Sequence, residues 1–305
     1  MSVVICAYTD RRWDVLVEAI EHVQAQVNAA DEILIVIDHS PELLERVRER
    51  FPHLEVLENV HQNGLSGARN TGVARASRDV VVFLDDDAIP EPAWLQTLRQ
   101  SYSEPRIIGV GGLVSPSWPD VAPSWMPDEF LWVVGCSYAG LPESISPIRN
   151  PIGANMSFRH EVFASVGGFS ESLGRVGTLP VGCEETELSI RVGAQFDDSV
   201  IIHQPAAIVD HHISPDRTTL SYFVKRCWSE GLSKAAVTRL AEQSGSLATE
   251  RSYVTKTVIP AVWRELNSAR RGGRGAWGRA AVLILGTAVT GASYVLHSLR
   301  VRSEP

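Results

Sequence analysis

Three consecutive carboxylates, Asp85, Asp86 and Asp87, follow the apolar run VVVFL at residues 80–84. A run this rich in β-branched and aromatic residues reads as a buried strand. The acids then stand at its C-terminal end, where open α/β sheets bind ligands. Acids so close together repel one another unless a positive charge lies among them. A hard divalent cation that also bridges to phosphate oxygens meets that need; an acidic turn or helix cap is the other reading of the same residues. Asp38 ends a second apolar run, EILIVID at residues 32–38, and can serve a base or ribose or merely cap the next helix. Glu184, Glu185 and Glu187 open a helical stretch, GCEETELSIR at residues 182–191, where the helix dipole alone already favours carboxylates. His203, His211 and His212 belong to the strand-like IIHQPAAIVDHHI at residues 201–213. Imidazoles there are either core side chains or metal ligands.

The elements that must position these groups alternate. A strand at residues 3–7 leads through Thr9 and Asp10 into a helix with Leu16, Ile20, Val23 and Val27 at helical spacing. Strands at 32–38, 54–57 and 80–84 follow, separated by helices at 42–50 and 66–76. This rhythm predicts a mostly parallel sheet with right-handed crossovers, so the residues at the strand ends, Ala7 with the polar Tyr8 and Asp10, then Asp38, then Asp85 to Asp87, should converge. No GxGxxG follows the first strand and no GxxxxGK[ST] occurs anywhere, which disfavours a Rossmann dehydrogenase and a P-loop NTPase. A nucleotide bound here would need a metal and basic side chains for its phosphates.

Composition sets the outer limits. The chain has 305 residues, 44% hydrophobic and 21% charged, the profile of one large α/β domain with an appendage. Its four cysteines are widely separated and read as buried thiols of a reducing compartment. No basic region precedes the first strand, so a secretory signal peptide is not expected. The net charge of −8 is unevenly spread: residues 251–305 hold nine Lys or Arg and two acids, about +7 against about −15 for the remainder. An acidic body with a basic tail argues against nucleic acid and for a tail that meets an anionic surface.

The segment GLSGARNTGVARASRDVVVFLDDDAIPEPAWL, residues 64–95, resembles the central signature of family 2 glycosyltransferases of the GT-A fold, in which an ARN-containing helix precedes a strand ending in D-x-D. The resemblance implies that Asp38 contacts the nucleotide base, that Asp85 and Asp86 lie at the nucleotide-sugar with Asp85 near ribose and metal, and that Asp87 is the metal ligand. It makes Arg69 a candidate for orienting these carboxylates or the nucleotide, an ordinary surface salt bridge being the alternative. CEETEL resembles the family's E-D-x-D element and so assigns the general base to Glu185, with Glu184 in reserve. His211 then completes the metal site or touches the diphosphate. The RNPIGANMSF segment, residues 149–158, resembles the part beneath the donor sugar, and the resemblance brings in Asn155 as an acceptor contact. Arg226 and Trp228, in the RCW piece, resemble with departures a Q-x-x-R-W element that meets diphosphate and acceptor. The Trp- and Pro-rich stretch at residues 115–142 includes Trp132, which offers an aromatic wall for an acceptor or packs an irregular loop.

The expected fold class is therefore α/β: a GT-A, Rossmann-like, mostly parallel central sheet flanked by helices, with a helical C-terminal extension. Residues 1–240 form the transferase domain, 1–115 its nucleotide-sugar half and 116–240 its acceptor and base half; 241–305 form the basic extension. Within the extension, residues 280–296 are apolar and flanked by arginines, which suits a helix at an anionic membrane or a dimerising or core-capping helix. The expected activity is metal-dependent (Mn2+ or Mg2+) inverting transfer from a nucleoside-diphosphate sugar, UDP before GDP, to a glycan or polyprenyl-phosphate-linked acceptor at the cytoplasmic membrane. WVVGCSYAGLP, CEETEL and EGLSKA resemble the lipid-linked glucuronosyl or glucosyl branch. The rivals are a sugar nucleotidyltransferase, whose glycine-rich N-terminal loop is missing from SVVICAYTDRRW, and a non-catalytic nucleotide-sugar-binding protein.

Overall fold

The computed structural model describes residues 1–171, 182–240 and 248–302. The expected boundary at residue 240 therefore abuts 241–247, which lie outside the described residues. The chain forms two compact units: Met1–Ser115, Pro142–Pro180 and Glu184–His212 make the first, and Pro116–Leu141, Val181–Cys183 and Ile213–Pro305 the second.

The first unit begins with the alternation read from the sequence: β1 (Ser2–Ala7), α1 (Trp13–Gln24), β2 (Glu32–Ile37), α2 (Pro41–Arg50), β3 (Glu55–Glu58), α3 (Leu65–Arg75) and β4 (Val80–Asp85). It continues through β5 (Ala88–Pro90), α4 (Trp94–Ser101), β6 (Ile107–Ser117), β7 (Ser146–Pro147), β8 (Asn155–Arg159), α5 (His160–Val166), α6 (Glu184–Gln195) and β9 (Val200–His212). The strands form one sheet in the order β3-β2-β1-β4-β8-β6-β9-β5, with β7 on β9. From β3 to β4 it is parallel; β8 then pairs antiparallel with β4 and β6, and β5 and β7 pair antiparallel with β9. The sheet is thus mixed: besides the parallel run from β3 to β4, β6 and β9 lie side by side in the same direction, the Val200 amide donating to the Arg106 carbonyl oxygen at one end and the Ile213 amide to that of Ser117 at the other.

Local sequence explains these elements. α1 buries Leu16, Ala19, Ile20 and Val23, one stripe at the helical period, and Thr9 accepts a hydrogen bond from the Arg11 amide at its approach. β1 and β4 are buried on both faces, as parallel strands covered by helices must be. α3 lies almost fully buried against them. Gly72 permits this: a Cβ there would stand 2.4 Å from Val4 Cγ1. Phe83, on β4, meets Phe163 and Phe169 edge-on at 6.0 and 5.2 Å between centroids. Truncating a core aromatic of this kind costs about 3–5 kcal/mol, so β4 and the acids at its end stand on a rigid base.

The second unit is helical. It contains a 3-10 helix at Asp128–Val134, then α7 (Leu220–Leu240), α8 (Ala248–Tyr253), α9 (Ile259–Arg270) and α10 (Ala276–Arg302). α10 lies along α7. A Cβ on Gly231 of α7 would fall 2.4 Å from the Thr290 carbonyl oxygen and 2.7 Å from Ser293 Cβ, so the two backbones nearly touch there. Ser293 Oγ donates to the Trp228 carbonyl oxygen at 2.6 Å, and Gly286 leaves room for the rings of Phe130 and Phe223.

Candidate active site

Strand register builds the acidic centre. Cys6 on β1 sits opposite Asp85 on β4, and Ala88 on β5 sits opposite His211 on β9. The His212 amide donates to the Asp87 carbonyl oxygen at 2.7 Å, which fixes the chain between β4 and β5 against β9. Side chains follow: His211 Nε2 lies 3.1 Å from Asp87 Oδ1, and Asp85, Asp87 and His211 present ligand atoms all within 4.8 Å of one another. Two hard carboxylate oxygens and an imidazole suit Mn2+ or Mg2+, which accept oxygen-rich sites. The donor set fits a divalent cation.

Arginines bracket this cluster. Arg69, on α3 and only 2% exposed, donates through Nη1 to Glu184 at 2.8 Å and through Nη2 to Asp85 at 3.2 Å and to the Gly153 carbonyl oxygen at 3.2 Å. A Cβ on Gly153 would come within 2.9 Å of Arg69 Nη2, so a larger residue there would press on the guanidinium. Arg69 therefore ties the end of β4 to the start of α6, one residue before Glu185. Glu185 itself is half-buried in the first turn of α6. Glu184, the reserve base, is buried and held by Arg69. Its carboxylate is thus engaged by a buried guanidinium, whereas Glu185 is the more exposed of the two. Cys183, immediately before, adopts φ +74°, a backbone region costly for a side chain other than glycine.

Arg12 was not singled out in the sequence. Its guanidinium lies 2.5 Å from Asp86 and 2.9 Å from Asp87, and it stands over the Tyr8 ring at 5.7 Å. Asp86, expected at the nucleotide-sugar, is instead buried against Arg12. Burial pushes its carboxyl up to about 7, with Asp87 and Asp85 adding to the rise and Arg12 opposing it. A divalent cation among these acids would favour their charged forms. Burial likewise pushes the Cys6 thiol up to about 12, so it brings no charge to the cluster.

Asp38 has a separate environment. Its Oδ1 accepts from Asn59 Nδ2 at 2.6 Å and lies 2.8 Å from His39 Nδ1, and its Oδ2 accepts from the Gly64 amide at 2.9 Å. It does not cap α2, whose N-cap is Ser40. Asn59, missed in the sequence, is the residue that orients it. Ala7 is buried; Tyr8 and Asp10 are exposed at the end of β1. Asn155, expected at the acceptor, is wholly buried, donates to the Leu113 and Ala207 carbonyl oxygens and accepts from Trp94 Nε1. Its side chain is committed to joining β6, β9 and α4 and has no face left for substrate.

Arg226, Trp228 and Trp132 belong to the second unit. Arg226 is buried and pairs with Glu230 at 3.3 Å. Trp228 is 41% exposed and meets His297 edge-on. Trp132 packs against Phe130 at 5.3 Å between centroids.

Comparison with known proteins agrees with this geometry. Residues 2–167 match the model of glycosyl transferase family 2. The chain belongs to this family. As a family 2 glycosyltransferase it is an enzyme, and it is 36% identical over 248 residues, 80% of its length and 79% of the relative's, to a glucosyl-dolichyl phosphate glucuronosyltransferase of Haloferax volcanii. Its fold is GT-A. A mannosyltransferase from Pyrobaculum calidifontis, solved in complex with GDP-Man and Mn2+, superposes with a TM-score of 0.58 at 18% identity, covering 95% of this chain and 86% of that one. GalNAc-T7, solved with UDP, GalNAc and Mn2+, superposes at 0.53 and 15% identity, covering 84% and 54%.

Proposed function

We propose that this glycosyltransferase moves a sugar, with inversion, from a nucleoside-diphosphate sugar, UDP rather than GDP, to a hydroxyl of a glycan carried on polyprenyl phosphate. The observation that carries the reading is the Arg69 bridge, which holds the D-x-D end of β4 and the Glu184–Glu185 start of α6 in one constellation. The name of the Haloferax relative, a transferase acting on a dolichyl-phosphate-linked glucose, supports a lipid-linked acceptor and a uronic acid or related sugar. A lipid-linked acceptor in turn supports a peripheral place at the cytoplasmic membrane, met through the C-terminal helix.

In this reading Asp85, Asp87 and His211 hold Mn2+ or Mg2+. When bound, the cation supplies charge neutralisation for the departing nucleoside diphosphate. Glu185 orients the acceptor hydroxyl and takes its proton as the acceptor oxygen bonds to the anomeric carbon. The bond from that carbon to the phosphate oxygen breaks on the opposite face, so one displacement inverts the centre. Arg69 and Glu184 position the base, Arg12 holds Asp86 and Asp87 in place, and Asp38 with Asn59 receives the nucleotide's base or ribose.

A thermal-shift panel of UDP, GDP and TDP sugars with and without manganese tests the donor, since a ligand that binds only the folded state raises its stability. UDP sugars with manganese are expected to give the largest shift. Glu185→Gln should retain that shift while transfer falls by about 10²–10⁴-fold, the usual worth of a positioned base. Intact transfer in Glu185→Gln would overturn the base assignment. A wild-type shift with transfer to soluble glycans but none to a polyprenyl-phosphate-linked one would overturn the acceptor assignment.

A further inference from the structure

The side of α10 that faces away from its own unit is apolar from end to end. Trp277, Ile284, Leu285, Val295, Leu296 and Leu299 are between 42% and 63% exposed, and they recur at the spacing of one helical stripe. The other exposed positions of that stripe, 281, 288, 291 and 292, are alanine or glycine. A helix that turns one face to water places charged and polar residues there, and this one places none. Just before it, α9 adds Ile259 and Trp263, 48% and 59% exposed. Arg270, Arg271 and Arg274 are exposed around the turn that joins the two helices. From residue 259 to 299 the chain has five arginines and one acid, Glu265; that acid is buried and paired with Arg264 and Arg279. An apolar stripe with a cationic margin and no exposed acid complements an anionic lipid surface.

Ala276–Leu299 is also long and apolar enough to cross a bilayer, yet its packing opposes that. The Gly231 contacts, the Ser293 bond to Trp228 and the Gly286 pocket fasten its inner face to the second unit, with α7 alongside. Threading α10 through the hydrocarbon would take with it α7, whose sequence LSYFVKRCWSEGLSKAAVTRL carries five charged residues. Each charge near the bilayer centre costs several kcal/mol. We infer that α10 is a monotopic anchor: it lies in the plane of an anionic leaflet, sinking the Trp277–Leu299 stripe among the acyl chains while the arginines around residues 270–274 meet the headgroups. The inference rests on the membrane contact proposed above and specifies its mode.

The test uses the full chain and vesicles of phosphatidylcholine alone or with 30% phosphatidylglycerol. Flotation with the anionic vesicles is expected, weakened by high salt and by neutral lipid. Ile284→Glu with Leu296→Glu, both at exposed positions, should lower the bound fraction at least tenfold and leave melting temperature and transfer to a water-soluble short-chain acceptor unchanged. Depth is read from the single variants Ala281→Cys, Ala292→Cys and Leu299→Cys, labelled with a fluorophore and quenched by spin-labelled lipids. The four native cysteines are buried, so the label goes to the introduced thiol. Equal shallow depth at all three positions is expected. Flotation with depth that passes through the midplane would overturn the in-plane mode and leave membrane contact standing. Absence of flotation, or a dimer that Ile284→Glu with Leu296→Glu dissociates, would overturn both, and the soluble-acceptor assay reports the catalytic reading independently.

Discussion

Two buried charge clusters, one in each unit, are built on opposite principles. Around Asp87, four carboxylates, Asp85, Asp86, Asp87 and Glu184, share two guanidinium groups, Arg12 and Arg69. On α7 and α8, Glu230 and Glu250 face Arg226 and Lys234, two against two. The same physical event, burial, has opposite outcomes in them. Burial drives the Asp86 carboxyl up to about 7 in spite of Arg12, with Asp87 and Asp85 adding to the rise. Burial also acts on Glu230, but Lys234 and Arg226 outweigh it and hold that carboxyl at about 2. Among the described residues the matched cluster fastens helices together. The acid-rich one has more carboxylates than guanidinium groups among those residues, an imbalance that suits a further cation.

The contrast can be broken at either end. The largest change is expected from Glu230→Gln, which takes the Glu230 charge away from buried Arg226 and leaves half-buried Lys234 with Glu250. Unpairing a buried ion cluster costs about 3–5 kcal/mol, read by chemical denaturation. The acid limb follows from the same residue. Glu230 has a folded value near 2 against an ordinary 4.5, so it binds fewer protons folded than unfolded, and its stabilisation is complete above about pH 4.5 and lost as pH falls through about 2. The stability gap between wild type and Glu230→Gln should therefore close across that window. A gap that stays constant from pH 5 to 2 would sink the assignment.

In the acid-rich cluster the expected signature is functional. Asp87→Asn should weaken manganese binding by more than about 100-fold, beyond what second-layer changes cost, as measured by calorimetry, with only a small change in fold stability. Smallest is Asp86→Asn without added cation. Removing one of the crowded carboxylates should be neutral or should raise stability by about 0.5–2 kcal/mol, the range of gains found where function had been bought with strain. Loss of several kcal/mol there would show the cluster to be structural after all.

Much of the first unit was legible because its information is local. The apolar runs before Asp38 and Asp85 and the helical spacing of Leu16, Ile20 and Val23 need no distant partner to be read. β8, β6, β9 and β5 were harder, since antiparallel pairings such as Ala88 with His211 depend on residues far apart in sequence. The same limit applies inside the site. Arg12 reads as an ordinary basic residue at a helix start and gains its meaning only from Asp86 and Asp87 across the sheet. Asn155 lies in a segment read as donor-facing, yet three hydrogen bonds to separate elements seal it away. Asp86 was indistinguishable from its neighbours in sequence, because the parity of a strand end, which decides what each acid faces, continues into a turn whose course is set by β9.

The bond from the His212 amide to the Asp87 carbonyl oxygen also has a temporal meaning. During synthesis the acids of β4 emerge long before β9 exists, so the ribosome releases three clustered carboxylates with no imidazole and no strand to hold their loop. Non-local pairings close late because loop entropy must be overcome first. The Asp85–Asp87–His211 cluster is therefore expected among the last parts of its unit to be completed, and a nascent or truncated chain that stops before residue 211 carries the D-x-D sequence without the imidazole beside it.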